Sequence, residues 1–347
     1  MDRNKISKIA TTIVAPVLFS KEGTIEKVVS ITKEAAANGA KMVVFPETYV
    51  PGYPWWIWMG INNNKKLELF KKQYANALEV KSSEMDYIKT TAKKNEIIIA
   101  LGFVEKDCAT LYNSQVLINE DGNICIQRRK LMPTGEERTI WGMGDGTSLQ
   151  VCDTSIGKIG MLICYEHSMP LSRYTLYSMG EEIHVAMWPG ANFRSQPRDR
   201  KKIIDVAMRN MTFEGQVYVV YSSSCVGQEE LDFYLELDPG NKGILDEGGG
   251  ISGIVDPISN YIAGPIEDKE QIVYSEVNLD NIVGVKHMID CVGHYARPDV
   301  FQLNVFSRKH QPVKFVNSSV ETLSEKDTCR DACMNESSPS SKGAGNE

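Results

Sequence analysis

The chain alternates between short β-branched apolar runs and longer stretches of helical periodicity, and this alternation constrains its fold most. Apolar runs of about 4–8 residues bounded by turn residues read as buried strands, whereas apolar recurrence at i, i+3 and i+4 marks a helix with one face on a core. Residues 8–19 read as a strand and 24–38 as an amphipathic helix ended at Gly39. Thr24 is a weak cap for that helix, because Lys27 stands where a capping box needs Glu or Gln. Residues 41–45 form a short buried strand running into Pro46, 67–77 and 83–95 read as helices, and 97–104 is a strand. Residues 111–118 and 124–129 flank Asp121-Gly122, a hairpin turn signal. Strands follow at 158–164, 182–188, 216–225, 251–256 and 271–277, with helices at 170–178 and 200–213. Hairpins combined with crossovers predict an α/β fold of mixed sheets with helices outside, two layers of each.

Length alone leaves the domain count open, because 347 residues suit two domains of about 150 residues or one large layered unit. From 316 to 347 the composition turns to Ser, Glu, Lys and Gly, which cannot offset ordering entropy, so this stretch is expected to be a disordered tail. With 38 basic against 45 acidic residues the net charge is −7, which disfavours a nucleic-acid partner. The opening apolar run is short, broken by Thr11 and Thr12, and unlike a secretory signal. No run reaches the length of a membrane span. A cytoplasmic protein with no membrane partner is the expectation. Eight scattered cysteines are then reduced thiols rather than a disulfide framework. Cys329 and Cys333 have the spacing of half a zinc site, but no partner pair accompanies them, and no metal is expected.

Three strands end on a reactive side chain. Val43-Val44-Phe45-Pro46 leads to Glu47, Ile126-Gln127-Arg128-Arg129 to Lys130, and Gly160-Met161-Leu162-Ile163 to Cys164. Open α/β sheets place their sites at strand ends, so the three can converge. Each has a bland reading by itself: Glu47 as a cap or surface carboxylate, Lys130 as a solvated strand end, Cys164 as a core thiol. Together they are chemically coherent. A carboxylate in a dry pocket can serve as base for a thiol, and a lysine cation beside them stabilises developing negative charge. Residues from the whole first half feed this one site, which favours a single domain over 1–315. No GxSxG elbow competes, and a Cys-His dyad through His167 is the weaker arrangement.

These segments resemble the nitrilase branch of the carbon–nitrogen hydrolase superfamily. Phe45-Pro46-Glu47-Thr48 with Pro51-Gly52-Tyr53-Pro54 resembles the family's glutamate segment. Arg129-Lys130-Leu131-Met132-Pro133-Thr134, with Glu137-Arg138 and Trp141-Gly142, resembles its lysine segment. Cys164-Tyr165-Glu166-His167 resembles its nucleophile segment, and Gly248-Gly249-Gly250 and Gly293-His294-Tyr295-Ala296-Arg297-Pro298-Asp299 resemble two later stretches. The resemblance implies a four-layer α-β-β-α sandwich that dimerises to an eight-layer arrangement and builds larger homo-oligomers. It implies a Glu47–Lys130–Cys164 triad, with Glu137 as a second glutamate and Glu136 as an exposed neighbour. It implies a small-molecule nitrile as substrate and no cofactor. Nitrilases usually carry Trp after the nucleophile, whereas Tyr165 stands here as in several amidase branches, so substrate class stays open at this point.

The tract Tyr53-Pro54-Trp55-Trp56-Ile57-Trp58 can line an apolar pocket or fill a core or subunit surface. Trp188 and Pro189 end a strand and are candidate pocket walls beside Tyr53, Trp55 and Tyr165. Arg200-Lys201-Lys202 reads as a solvated helix start, and His294 and Arg297 as bridges to a carboxylate or a second subunit. The main reading is nitrile hydrolysis. Its rivals are an amidase or hydratase on the same fold, a catalytically dead scaffold, and a nucleotide-binding protein, the last weakened by the missing glycine fingerprint.

Overall fold

A computed structural model describes residues 5–191, 199–239, 245, 247–309 and 313. In chain order the elements are β1 (Ile6–Val14), α1 (Lys21–Ala37), β2 (Met42–Val44), α2 (Asn63–Ala75), α3 (Ser83–Asn95), β3 (Ile98–Asp107), β4 (Thr110–Ile118), β5 (Ile124–Arg129), β6 (Val151–Thr154), β7 (Gly157–Ile163), α4 (Pro170–Ser178), β8 (Ile183–Trp188), α5 (Arg200–Gly215), β9 (Tyr218–Ser224), α6 (Gln228–Leu237), β10 (Ile251–Val255), β11 (Tyr261–Glu267), β12 (Gln271–Asn278) and α7 (Asp280–Lys286). The chain has the α/β fold expected, with a mixed sheet and helices. Among the described residues no helix is long and apolar enough to cross a membrane. The tail expected from 316, with Cys329 and Cys333, lies outside the described residues.

Several boundaries differ from the sequence reading. The first strand stops at Val14 rather than at 19, because Pro16 has no N–H for a ladder. Helix α1 starts earlier than Thr24, because Ser20 is the real cap: its Oγ accepts from the Gly23 N–H at 3.1 Å. Strands β6 and β11 and helices α6 and α7 were not anticipated. β11 carries Gly264-Pro265, which reads as a breaker, and among the described strands it pairs only with β10, so Pro265 sits where a missing N–H is tolerated.

The strands hydrogen-bond in the order β5-β4-β3-β2-β1-β9-β8-β7-β6, with β10, β11 and β12 attached to β9 and β1. β1 and β9 meet at only Ile13–Ser223 and Val14–Ser224, so two half-sheets join at a narrow seam. Strand pleat then sorts the side chains. Met42, Val44, Ile98 and Ala100 of one half share a buried cluster with Ile159, Met161, Val185 and Val220 of the other. The alternate residues Val43, Ile99 and Leu101 pack with Val28 and Ile88 of α1 and α3, and Ala186 and Val219 pack with Met208 and Met211 of α5.

This topology brings the three strand ends to one side. β1 is parallel to β2, and β2 to β3. β4 reverses and β5 reverses again, so β5 runs with β2. β7, β8 and β9 are mutually parallel and follow β1. Glu47, Lys130 and Cys164 all lie just past the C-terminal end of their strands.

Candidate active site

Glu47 occupies a tight turn after β2 that lies directly on β3. A Cβ at Gly102 would stand 2.2 Å from the Pro46 carbonyl oxygen and 2.9 Å from Glu47 Cα, so only glycine admits this approach. Glu47 Oε1 accepts from Lys130 Nζ at 2.9 Å and from Asn113 Nδ2 at 2.7 Å. Its Oε2 is buried with no hydrogen-bond partner among the described residues. Burial pushes the Glu47 carboxyl up to about 7. Lys130 opposes that shift, and Glu137 adds to it.

Lys130 follows β5 directly and is wholly buried. Its Nζ also donates to Glu137 Oε2 at 2.8 Å, so one ammonium bridges two carboxylates. Burial disfavours that cation, but Glu47 and Glu137 outweigh it and hold its pKa well above the ordinary lysine range. Glu137 lies in the short turn Gly135–Thr139, where its Oε2 accepts the Thr134 N–H at 2.7 Å in a capping box. Its Oε1 accepts from the Tyr53 hydroxyl at 2.7 Å. Glu136 is exposed, as expected.

Cys164 opens the 3-10 turn Cys164–Ser168 at φ +51°, a left-handed conformation that costs a non-glycine residue about 1–3 kcal/mol. The thiol is buried, which pushes its pKa well above the ordinary range. Glu47 adds to the shift, while Lys130 and Arg200 oppose it. Burial thus favours the neutral thiol over the thiolate.

A buried ion pair ties the lysine and nucleophile segments together. Arg128 donates to Glu166 at 2.9 Å and 2.8 Å in a bidentate fork. Glu166 also accepts the N–H of Leu131, next to Lys130, at 2.6 Å, and that of Ile163, next to Cys164, at 2.7 Å. Arg128 is further held by Gln115 Oε1 at 2.8 Å and the Ser148 carbonyl at 3.1 Å. One carboxylate thus fixes the spacing between two of the three reactive strand ends.

The candidate pocket residues fall into two groups. Tyr53 and Trp55 are buried, with ring centroids 4.2 Å apart, in a cluster with Trp56 and Trp141. Trp188 is buried near Cys164, and half-buried Tyr165 meets it edge-on at 6.0 Å; Pro189 is buried beyond. A Cys-His dyad does not form: His167 Nδ1 faces the Cys164 backbone carbonyl at 2.6 Å and Nε2 faces His184 at 3.0 Å, leaving neither nitrogen for the sulfur. Arg200 is not the solvated helix start read from the sequence, because it is half-buried with its guanidinium 5.7 Å from the Trp55 ring. Arg297 does find a carboxylate, the exposed Asp299 two residues on, at 2.6 and 2.8 Å.

Sequence reasoning missed Asn113, Arg128 and Glu166. The available signal was polar residues inside apolar strand patterns, since Asn113 and Arg128 interrupt β4 and β5 and are both buried.

A carboxylate, an ammonium and a thiol thus lie buried at neighbouring strand ends, close enough for Glu47 and Lys130 to act electrostatically on Cys164. Residues 8–287 match the carbon–nitrogen hydrolase family model. An aliphatic nitrilase from Rhodococcus rhodochrous is 37% identical over 319 residues, covering 91% of this chain and 83% of that protein. An arylacetonitrilase from Aspergillus kawachii is 37% identical over 308 residues, covering 86% and 91%. A carbon–nitrogen hydrolase from Helicobacter pylori shares the fold at TM-score 0.68 and 20% identity, covering 85% and 96% of the two chains. An amidase from Nesterenkonia sp. does so at 0.59 and 14%, covering 81% and 95%. The chain belongs to the carbon–nitrogen hydrolase family, in its nitrilase branch.

Proposed function

We propose that this chain is a nitrilase that converts an organic nitrile to the carboxylic acid and ammonia, with Cys164 as nucleophile, Glu47 as general base, Lys130 as electrostatic stabiliser and Glu137 as orienting carboxylate. The observation that carries the roles is the buried Glu47–Lys130–Glu137 bridge beside Cys164, with Glu47 Oε2 left unpartnered. The nitrile substrate is supported by relatives named nitrilases at 32% to 37% identity over most of the chain.

Glu47 takes the Cys164 proton on its free oxygen as the sulfur attacks the nitrile carbon. The C≡N π pair moves to nitrogen, where Lys130 stabilises the charge of the thioimidate. Glu47 then passes its proton to the nitrogen and activates one water, which adds to the carbon while both its protons also go to the nitrogen, and ammonia leaves a thioester. A second water, oriented by Glu137, releases the acid and restores the thiol. If the sulfur leaves before ammonia does, the product is the amide. The residues of this chain and two waters account for every proton, so the scheme calls on no cofactor. Tyr53, Trp55, Tyr165, Trp188 and Pro189 form the walls for an apolar substituent.

The same reading extends to architecture. The cluster shared by the two half-sheets, with helices on their other faces, supports a four-layer α-β-β-α sandwich in a single domain over 1–315 with 316–347 as its tail. Two such chains would pair into the eight-layer dimer and larger homo-oligomers, acting in the cytoplasm without nucleic-acid or membrane partners.

The test is a panel of aliphatic, aryl and arylaceto nitriles with the matching amides, read by ammonia, acid and amide. Cys164→Ala should abolish ammonia release while keeping the fold by circular dichroism. Retained turnover in that variant would refute the mechanism, and ammonia from amides alone would make the chain an amidase.

A further inference from the structure

Behind the nucleophile lies a second buried titratable chain that the scheme above does not use. His167 Nδ1 stands 2.6 Å from the Cys164 carbonyl oxygen, His167 Nε2 stands 3.0 Å from His184 Nε2, and His184 Nδ1 stands 2.7 Å from Glu181 Oε1. All three side chains are at most 2% exposed. The arrangement is built rather than incidental. A Cβ on Gly160 of β7 would fall 2.1 Å from Glu181 Oε1, so β7 carries glycine where the carboxyl presses on it. The Trp188 ring stacks on His167 at 5.2 Å and 22°.

We propose that Glu181, His184 and His167 form a buried positioning relay that holds the backbone of Cys164 and so fixes the direction in which its sulfur is presented. The proton order follows from the acceptor at the end. A carbonyl oxygen can only accept, so His167 Nδ1 carries hydrogen. A neutral His167 then has a bare Nε2, which accepts from an Nε2–H on His184. With His184 neutral, as its burial favours, its Nδ1 is bare and accepts from a protonated Glu181. Each histidine nitrogen in the line then has one role, and the line is uncharged.

The surroundings agree with that assignment. Burial raises Glu181 far above the carboxylate range against the weaker pulls of Lys286 and the Gly160 amide. Burial holds both histidines well below the ordinary range. For His184 the Arg128 and Arg173 guanidiniums add to this and Glu166 opposes it; for His167, His184 and Arg173 add, and the Cys164 carbonyl and Glu166 oppose. The unpartnered Glu181 Oε2 is tolerable as the carbonyl oxygen of a neutral acid. The purpose is local. Cys164 is strained at φ +51°, and a strained residue persists only where its surroundings over-determine it. The relay supplies a donor to the Cys164 carbonyl, and Arg173 Nη1 secures the turn again at the His167 carbonyl.

The catalytic consequence rests on the nitrilase reading, whereas the geometry does not, and the experiments separate the two. In histidine-labelled full-length protein, 15N NMR should find His167 as the Nδ1–H tautomer and His184 as the Nε2–H tautomer, both neutral across neutral pH. The opposite tautomers, or a cationic His184, would overturn the relay whatever the enzyme hydrolyses. Glu181→Gln keeps a donor toward His184 and should retain kcat within about threefold. Glu181→Leu and His184→Phe should lower kcat roughly 10²-fold with KM within about twofold, because the sulfur is displaced while the pocket is kept. Alkylation of Cys164 by iodoacetamide should slow in the same two variants, a readout that needs no nitrile. A purely structural role would lower the melting temperature of all three and leave the alkylation rate of the folded fraction unchanged. Equal loss in the Gln and Leu variants would also refute the relay.

Discussion

Glu166→Gln is the sharpest test of how the site is held together. Glu166 accepts two bonds from Arg128 and one each from the Leu131 and Ile163 amides, and both members of the ion pair are fully buried. The Gln variant keeps one acceptor oxygen but removes the counter-charge, leaving Arg128 with neutral acceptors such as the Gln115 and Ser148 oxygens. Breaking a buried pair on one side costs about 3–5 kcal/mol. That is a large share of a total stability of about 5–15 kcal/mol. With a urea m-value of about 3 kcal/mol/M, the midpoint should fall by about 1–1.7 M. Arg128→Met should also destabilise, but combining it with Glu166→Gln removes the orphan charge, so the double variant should beat the sum of the singles by about 2 kcal/mol or more. Activity should not recover with stability, since the Leu131 and Ile163 amides no longer share one carboxylate. The pH dependence has a definite sign. Burial works against the Glu166 carboxylate, but Arg128 and the two amides outweigh it and hold it below the ordinary 4.5. Its contribution is therefore full above 4.5 and is lost as pH falls through the lowered folded value. Urea and guanidinium titrations of the cycle decide the matter. Additive losses, or a Glu166→Gln cost under about 1 kcal/mol, would refute the brace.

Asn113→Ala removes a hydrogen bond that favours ionised Glu47, so the Glu47 carboxyl should rise above its value of about 7. The base must be ionised to take a proton, so the acid limb of kcat/KM should move to higher pH, and a limb that stays or moves down argues against Glu47 as base. Gly102→Ala places a Cβ 2.2 Å from the Pro46 oxygen and should push the Glu47 turn off β3. A loss of about 1–3 kcal/mol by thermal unfolding and about 10²-fold in kcat is expected, and an unchanged kcat would contradict the packing of that turn.

The alternation of apolar runs and helical periods made the α/β class legible, and it set the strand ends at Glu47, Lys130 and Cys164, because period and burial are local properties of the chain. Glu137 was legible only through resemblance of its segment, since nothing in its spacing distinguishes it from the exposed Glu136. What stayed hidden depends on distance in space. Arg128 and Glu166 are thirty-eight positions apart in sequence yet joined at 2.8 Å, and no pattern in either segment names the other. His167 and His184 look like two isolated histidines until β7 and β8 lie side by side and Gly160 opens room for Glu181. By itself the sequence determined that a carboxylate, an amine and a thiol stand at three strand ends, because residue type and strand period are local. Only the tertiary structure decided their charge states, because whether a carboxyl, thiol or imidazole is ionised depends on burial and on neighbours that folding brings within hydrogen-bonding reach.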